Sequence, residues 1–202
     1  KQFNHPEHAR SIILENPFAS LVSNDDEGFP FISHIPIKLM PHATDAQQDM
    51  LLGHVAKGNP HAGFLYKRPQ VLLTFMGPQA YMSPAVYPDL IRVPTWSYVA
   101  VHVKAEVRIL EGEEAKDSLL KQLIADHEPA YAQQWRGLPE TYTHPMMNAI
   151  VAFEMKLLEV QTKVKLNQHR PEAHAAMHAA YDAGNESEKA LALWMRRLGL
   201  VS

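Results

Sequence analysis

The stretch TWSYVAVHVKAEVRILEG, residues 95–112, alternates in character over a long span and points to the fold class. Every second position from Val99 to Ile109 is valine, alanine or isoleucine, whereas the positions between them, from His102 to Arg108, are polar. Alternate side chains of a β-strand point to opposite faces of its sheet. The pattern therefore predicts one long strand with one buried and one exposed face.

Further strands and helices are predicted on both sides of this stretch. Alternating or continuous apolar runs predict strands near residues 18–23, 30–39, 50–56, 70–77 and 150–161. Helical spacing predicts helices near residues 4–16 (with Asn4 as cap), 59–68, 113–128, a short one before residue 150, and two in the tail broken at Gly184-Asn185. Asp25-Asp26-Glu27-Gly28 has the composition of a hairpin turn. Few long strand–helix–strand spacings occur, which favours a mainly β (α+β) antiparallel barrel with peripheral helices.

Composition excludes several classes of protein. The 202 residues contain no cysteine, which excludes disulfides, thiolate nucleophiles and Cys-ligated metals, and fits a reducing compartment. The formal net charge of −3 lacks the basic excess typical of nucleic-acid binding. No apolar run reaches the roughly 18 residues of a membrane span. We expect a cytoplasmic protein.

The segment LLGHVAKGNPH, residues 51–61, ends a predicted strand in a cluster of donors and cations. Backbone N–H groups at a helix start attract anions, and Lys57 and His54 add charge and donors, so the segment suits a phosphate. The simpler alternative is that Asn59 only caps a helix that starts at Pro60, with Lys57 in solvent. The sequence leaves both interpretations open.

Three other segments combine polar and aromatic residues. FMGPQAYMSPAVYP, residues 75–88, follows a predicted strand with an irregular segment that suits a planar ring, or simply connects two elements. VPTWSYVAVH, residues 93–102, brings aromatic residues to a strand start, where they commonly serve packing. VKLNQHRP, residues 164–171, places polar residues between a strand and a helix, either at a site or in a solvated linker.

Motifs for metal binding or catalysis are weak. His174 and His178 lie four residues apart on one helix face, but no third ligand is evident and a solvated face is the default. Glycine-rich phosphate loops and the nucleophile elbow do not occur. We assign no metal and no catalytic residue.

Seven motifs in order closely resemble the PaiB family of FMN-binding negative transcriptional regulators. They are NPFASLVS, SHIPIKL, LLGHVAKGNPH, FMGPQAYMSPAVYP, VPTWSYVAVHV, AIVAFEM and KVKLNQHRP. The resemblance implies a split β-barrel of the pyridoxamine-phosphate-oxidase kind, normally a homodimer with FMN at the subunit interface. It implies an FMN-binding domain over residues 1–170 and a C-terminal helical extension over 171–202. The chain departs from the usual residues at His61, Ser97 and Ala85-Val86.

The resemblance also implies roles for individual residues. The strand facing the flavin is implied to carry His34, Ile35 and Pro36. The phosphate is implied to be held by His54, Lys57, Asn59 and Gly58. The ring, ribityl chain and remaining cleft are implied to involve Gln79, Tyr81, Trp96, Lys165, Asn167, Gln168 and Arg170.

Three functions are compatible with this sequence. The first is a redox-linked or ligand-sensing regulator of the PaiB type, although no helix-turn-helix or basic recognition helix is evident, so DNA binding is implied by resemblance alone. The second is an FMN-dependent oxidoreductase or flavin reductase using NAD(P)H. The third is a haem-binding split barrel, considered because the chain has 12 histidines.

Overall fold

A computed structural model describes residues 5–89 and 91–202 of the chain. Its strands are β1 (Phe18–Asn24), β2 (Pro30–Pro36), β3 (Lys38–Met40), β4 (Met50–Ala56), β5 (Gln70–Met82), β6 (Thr95–Leu110) and β7 (Ile150–Lys165). Its α-helices are α1 (Pro6–Glu15), α2 (Pro60–Lys67), α3 (Glu113–His127), α4 (Ala132–Gly137), α5 (Glu140–Asn148), α6 (Pro171–Asp182) and α7 (Glu186–Arg197). The strands form one sheet in the order β2-β1-β5-β6-β7-β4-β3. The predicted fold class, mainly β with peripheral helices, is confirmed.

The chain divides into two compact units. The first unit contains residues 1–16, 75–102 and 161–202, and the second contains residues 17–74 and 103–160. Strands β1 to β4 and helices α2 to α5 belong to the second unit, whereas α1, α6 and α7 belong to the first. The predicted boundary of a C-terminal extension at residue 171 stays a prediction.

The predicted hairpin forms in the second unit. Strands β1 and β2 pair antiparallel, with Val22 opposite Ile32. The carboxylate of Asp25 accepts hydrogen bonds from the backbone N–H groups of Glu27 and Phe29 at 2.9 and 2.8 Å. Gly28 has a φ of 89°, a left-handed conformation that glycine adopts without steric cost. The turn is thus determined by local side-chain chemistry.

The long strand predicted from the alternating stretch is confirmed as β6. Its valines and alanines from Val99 to Val107 are buried, and Lys104, Glu106 and Arg108 are exposed. In the second unit, α3 packs Leu119 and Leu123 against Leu52 and Ala152 of strands β4 and β7. This contact explains why the helix carries an apolar stripe.

Two predicted boundaries were wrong. The segment after Gly77 is regular to Met82, because β5 continues with alternating burial. A β-carbon at Gly77 would lie 2.7 Å from Val99 Cγ2, so the glycine allows close strand packing rather than ending the strand. The run 30–39 divides at Ile37, whose backbone N–H donates to Pro17 O at 2.9 Å.

The helix ends of the first unit carry specific caps. Asn185 and Glu188 form a reciprocal capping box at the start of α7. The Ser187 hydroxyl instead accepts from Gln79 N–H at 2.9 Å and donates to Gln79 O at 2.7 Å. Asn4, the predicted cap of the first helix, lies outside the described residues. No helix of the described ranges has both the length and the apolar character needed to cross a bilayer.

Candidate functional site

The turn between β4 and α2 contains the strongest candidates for a phosphate site. Asn59 caps α2, because its Oδ1 accepts a hydrogen bond from His61 N–H at 2.9 Å. The backbone N–H of Lys57 donates to Ala149 O at 2.8 Å, and that of Asn59 donates to Ala56 O at 2.9 Å. The predicted cap at Asn59 is therefore confirmed, and the N–H groups of Lys57, Asn59 and His61 already have partners.

A buried hydrogen-bond network lies behind this turn. His61 has no exposed surface, and its Nε2 and Nδ1 lie 2.9 Å from the hydroxyls of Ser23 and Ser33. The Asn59 side chain donates from Nδ2 to the same Ser33 hydroxyl at 3.0 Å. Burial lowers the pKa of His61 below its ordinary value near 6.5, so the imidazole is neutral at pH 7. Sequence reasoning missed this network because nothing in the spacing pairs His61 with Ser23 or Ser33.

Three features of the turn remain available to an anion. The Lys57 side chain is exposed, and no ion pair to it is formed within the described part of the chain. A β-carbon at Gly58 would meet no atom within 4 Å, so a ligand has room to approach its backbone. His54 Nδ1 is buried without a hydrogen-bond partner in the described ranges. His54 lies on β4 opposite Ala152, three residues before Lys57.

The charge expected at His54 needs correction. Burial lowers the pKa of its imidazole below 6.5, so His54 is neutral at pH 7. It can offer an N–H donor but no positive charge there. Lys57 alone supplies the positive charge among the four residues implied for the phosphate.

Strand β2 places its three candidates on two different faces. His34 is exposed, and its Nδ1 lies 3.1 Å from Ser20 Oγ, with its ring 6.3 Å from Phe18. Ile35 is only 8% exposed and faces the core, so it can offer a ligand only its backbone. Pro36 lies on the same face of β2 as His34, because alternate residues of a strand share a face.

In the first unit, two candidates form an exposed aromatic pair. Tyr81 and Trp96 are 50% and 55% exposed, and their rings meet edge to face with centroids 6.3 Å apart. Exposed rings of this kind can contact a planar ligand. Gln79 lies on β5, two residues before Tyr81. Its side chain is exposed, and its backbone is hydrogen-bonded to Ser187.

The segment from Lys165 to Arg170 is tied down by its own hydrogen bonds. The Gln168 amide accepts from Leu166 N–H at 3.0 Å and donates to Val164 O at 2.8 Å. Asn167 is buried in a left-handed conformation with φ of 52°. Its carbonyl oxygen lies 2.9 Å from Nε2 of His174. Lys165 is exposed, whereas Asn167 and Gln168 are held mainly by contacts within the first unit.

His174 has both ring nitrogens at carbonyl oxygens, because its Nδ1 lies 3.2 Å from Leu200 O. The described residues contain no group of three or more histidine, aspartate or glutamate side chains placed to hold a metal ion. The expected solvated face was wrong for His174, which is buried and joins the carbonyl oxygens of Asn167 and Leu200.

The fourteen candidate residues divide between the two units. The second unit holds His34, Ile35, Pro36, His54, Lys57, Gly58 and Asn59. The first unit holds Gln79, Tyr81, Trp96, Lys165, Asn167, Gln168 and Arg170. The structure brings Lys57, Gly58 and Asn59 together in one turn, and it pairs Tyr81 with Trp96.

Two solved structures are similar to this chain in fold. The Flavocytochrome Anf3 from Azotobacter vinelandii is 14% identical, with 81% of this chain and 69% of that chain covered and a TM-score of 0.61. The FAD and Heme binding protein from Mycobacterium smegmatis is 15% identical, with 80% and 72% covered and a TM-score of 0.61. At these identities the likeness concerns the fold, and the predicted split barrel is confirmed.

The family follows from closer matches. Residues 1–159 match the family described as "Putative FMN-binding domain". The Bacillus subtilis (strain 168) protein called "Protease synthase and sporulation protein PAI 2" is 30% identical over 169 residues, which cover 80% of this chain and 76% of that protein. The chain belongs to the PaiB family of FMN-binding split-barrel proteins. FMN is thus its cofactor, and the open, cationic turn at Lys57 and Gly58 fits a phosphate group.

Proposed function

We propose that this chain is a homodimeric FMN-binding regulator of the PaiB type, located in the cytoplasm. The turn at residues 57–59 carries the proposal, because it combines an exposed cation with a backbone that a ligand can approach. The regulatory role comes from the resemblance to the PaiB family. The absence of cysteine fits a reducing compartment.

In this proposal the second unit binds the phosphate end of FMN. Lys57 provides the charge, Gly58 the close backbone approach, and His54 a neutral N–H donor. Asn59 acts by holding the turn, since both ends of its amide are already bonded. The isoalloxazine ring supplies electron transfer when FMN is bound, while the chain orients the cofactor.

The other proposed contacts come from the family resemblance. His34 and Pro36 contact the cofactor by their side chains, and Ile35 by its backbone. Tyr81 and Trp96 offer aromatic edges to the ring. The remaining proposed cleft residues are Gln79, Lys165, Asn167, Gln168 and Arg170.

An exposed apolar row in the second unit supports the homodimer. Val22 of β1 lies opposite Ile32 of β2 and Leu72 of β5, and Ile32 and Leu72 are 52% and 37% exposed. Such a row is suited to cover by a second copy. Light scattering should give twice the 22.8 kDa of one chain, and Ile32→Lys should give the monomer mass. A monomeric wild type would contradict the dimer.

The phosphate site is tested by titrating the protein with FMN and with riboflavin, which lacks the phosphate. Lys57→Ala should weaken FMN binding by about tenfold, the scale of one charged hydrogen bond, and leave riboflavin binding unchanged. Lys189→Ala, at another exposed lysine, is the matched control. Unchanged FMN affinity in Lys57→Ala would mean that the phosphate is held elsewhere.

The regulatory role is tested separately. Sequence-specific DNA retention by the pure, FMN-loaded protein supports direct regulation. NADH or NADPH oxidation well above the rate of free FMN would instead favour the FMN-dependent oxidoreductase. A Soret shift on haem titration, abolished by excess FMN, would favour the haem-binding alternative.

A further inference from the structure

We propose that Ser33 and His61 are positioning residues that hold the Lys57–Asn59 turn in the shape required for an anionic phosphate. Both residues are buried, with 7% of Ser33 and none of His61 exposed. They act through Asn59, whose side chain connects the turn to the interior. The inference rests on the phosphate site proposed above.

The Asn59 amide is fixed at both of its ends. Its Oδ1 accepts from His61 N–H at 2.9 Å, and its Nδ2 donates to Ser33 Oγ at 3.0 Å. The Asn59 backbone N–H closes the turn on Ala56 O at 2.9 Å. Rotation of the amide would break the helix cap and the Ser33 bond together, so the turn has one preferred shape.

The number of hydrogens available on Ser33 and on the neutral His61 imidazole determines which group donates in each bond of the network. The Ser33 oxygen already accepts from Asn59 Nδ2, and its own hydrogen needs an acceptor within 2.9 Å, which His61 Nδ1 provides. The neutral imidazole then carries its hydrogen on Nε2 and donates to Ser23 Oγ at 2.9 Å. The opposite tautomer leaves the Ser33 hydrogen without this acceptor. The chain Asn59–Ser33–His61–Ser23 is therefore directional.

Aromatic packing keeps this network dry. The Phe31 ring meets His61 and Phe64 edge to face, with both centroid distances at 5.2 Å. Ser23, Ser33 and His61 lie on β1, β2 and α2, so the turn is anchored to three elements. In a buried site a lost bond is less readily replaced by water, so the two members that contact Asn59, Ser33 and His61, matter for the turn.

The test compares two serines that differ only in their connection to the turn. Ser33→Ala should weaken FMN binding about fivefold, the scale of one neutral hydrogen bond, while riboflavin binding stays unchanged. Ser23→Ala, the matched control at 5% exposure, loses a bond to the same imidazole but not the contact to Asn59, and should keep the FMN affinity. In a Lys57→Ala background, Ser33→Ala should cause a smaller loss than it does alone, because the two changes share the Lys57 contact to the phosphate while the Gly58 backbone contact remains.

A second pair of variants covers the case in which Ser33→Ala fails to fold. Asparagine at position 61 can place its amide near the former Nδ1 and keep the link to Ser33, whereas glutamine reaches the Nε2 position beside Ser23. His61→Asn should therefore retain the preference for FMN over riboflavin, and His61→Gln should reduce it. Thermal unfolding of every variant checks that the comparison is made on folded protein.

The outcomes separate the inference from the proposed function. A wild type that binds FMN and riboflavin equally would overturn both. A wild type that prefers FMN, together with a Ser33→Ala variant that keeps the full preference, would overturn only the positioning role. Equal loss in Ser33→Ala and Ser23→Ala would also overturn it, because a general loss of packing would then explain the effect.

Discussion

Replacing His61 by leucine tests how much the buried network at the start of α2 contributes to stability. Leucine fills a similar volume but cannot bond the hydroxyls of Ser23 and Ser33, which both lie 2.9 Å from the imidazole nitrogens. Ser33 keeps its bond from Asn59 Nδ2, whereas Ser23 loses the partner that the network gives it. The two serines therefore lose unequal amounts.

The expected cost follows from these two losses. An unsatisfied buried hydroxyl at Ser23 costs about 1–3 kcal/mol, and the lost bond at Ser33 costs about 1 kcal/mol. Removal of the desolvated imidazole and burial of leucine offset part of these losses. We expect His61→Leu to lower the free energy of unfolding by about 1–3 kcal/mol, which lowers Tm by about 2–12 °C in a chain of this size.

Urea denaturation followed by circular dichroism measures this change directly. A leucine placed at the exposed His169 is the control and should change stability by less than about 0.5 kcal/mol. A loss below about 1 kcal/mol in His61→Leu would refute the reasoning, because the hydroxyls would then have found other partners.

Three further predictions concern glycines and pH. Gly58→Ala should leave Tm unchanged, because the added β-carbon meets no protein atom within 4 Å. It should weaken FMN binding by about tenfold without affecting riboflavin binding. Equal FMN affinities of wild type and variant would mean that the phosphate is held elsewhere. Gly77→Ala should lower the free energy of unfolding by about 1–3 kcal/mol, because its β-carbon would lie 3.0 Å from Val99 O, and an unchanged urea midpoint would contradict this. Burial lowers the pKa values of His54 and His61, so the unfolded chain binds more protons than the folded one near these pKa values. The free energy of unfolding should therefore fall as the pH falls below about 6.5. A Tm that increases when the pH is lowered from 7.5 to 5.5 would contradict this prediction.

Periodicity allowed most of the fold to be predicted. The alternation from Val99 to Val107 determined β6, and the Asp25–Gly28 turn determined the first hairpin. Gly77-Pro78 led to a wrong strand end, because glycine and proline commonly end strands, whereas Gly77 here allows β5 to pack closely against Val99. Contacts with a distant strand decide that outcome, and a local pattern does not contain them.

The candidate site was predictable only in part. Asn59 before Pro60 indicated the helix cap, which the structure confirms. The neutrality of His54 and the network around His61 depend on burial and on residues 28 and 38 positions away in the chain, so spacing could not reveal them. Ile35 was implied as a flavin contact by its motif, yet its side chain faces the core.

The bond pair between Ser187 and Gln79 has a consequence for self-association. One hydroxyl takes both the backbone donor and the backbone acceptor of a strand residue, at 2.9 and 2.7 Å. A β-strand with free backbone groups is a template for pairing with another molecule. The start of α7 thus occupies both backbone groups of Gln79, which leaves them unavailable for pairing with a strand of another molecule.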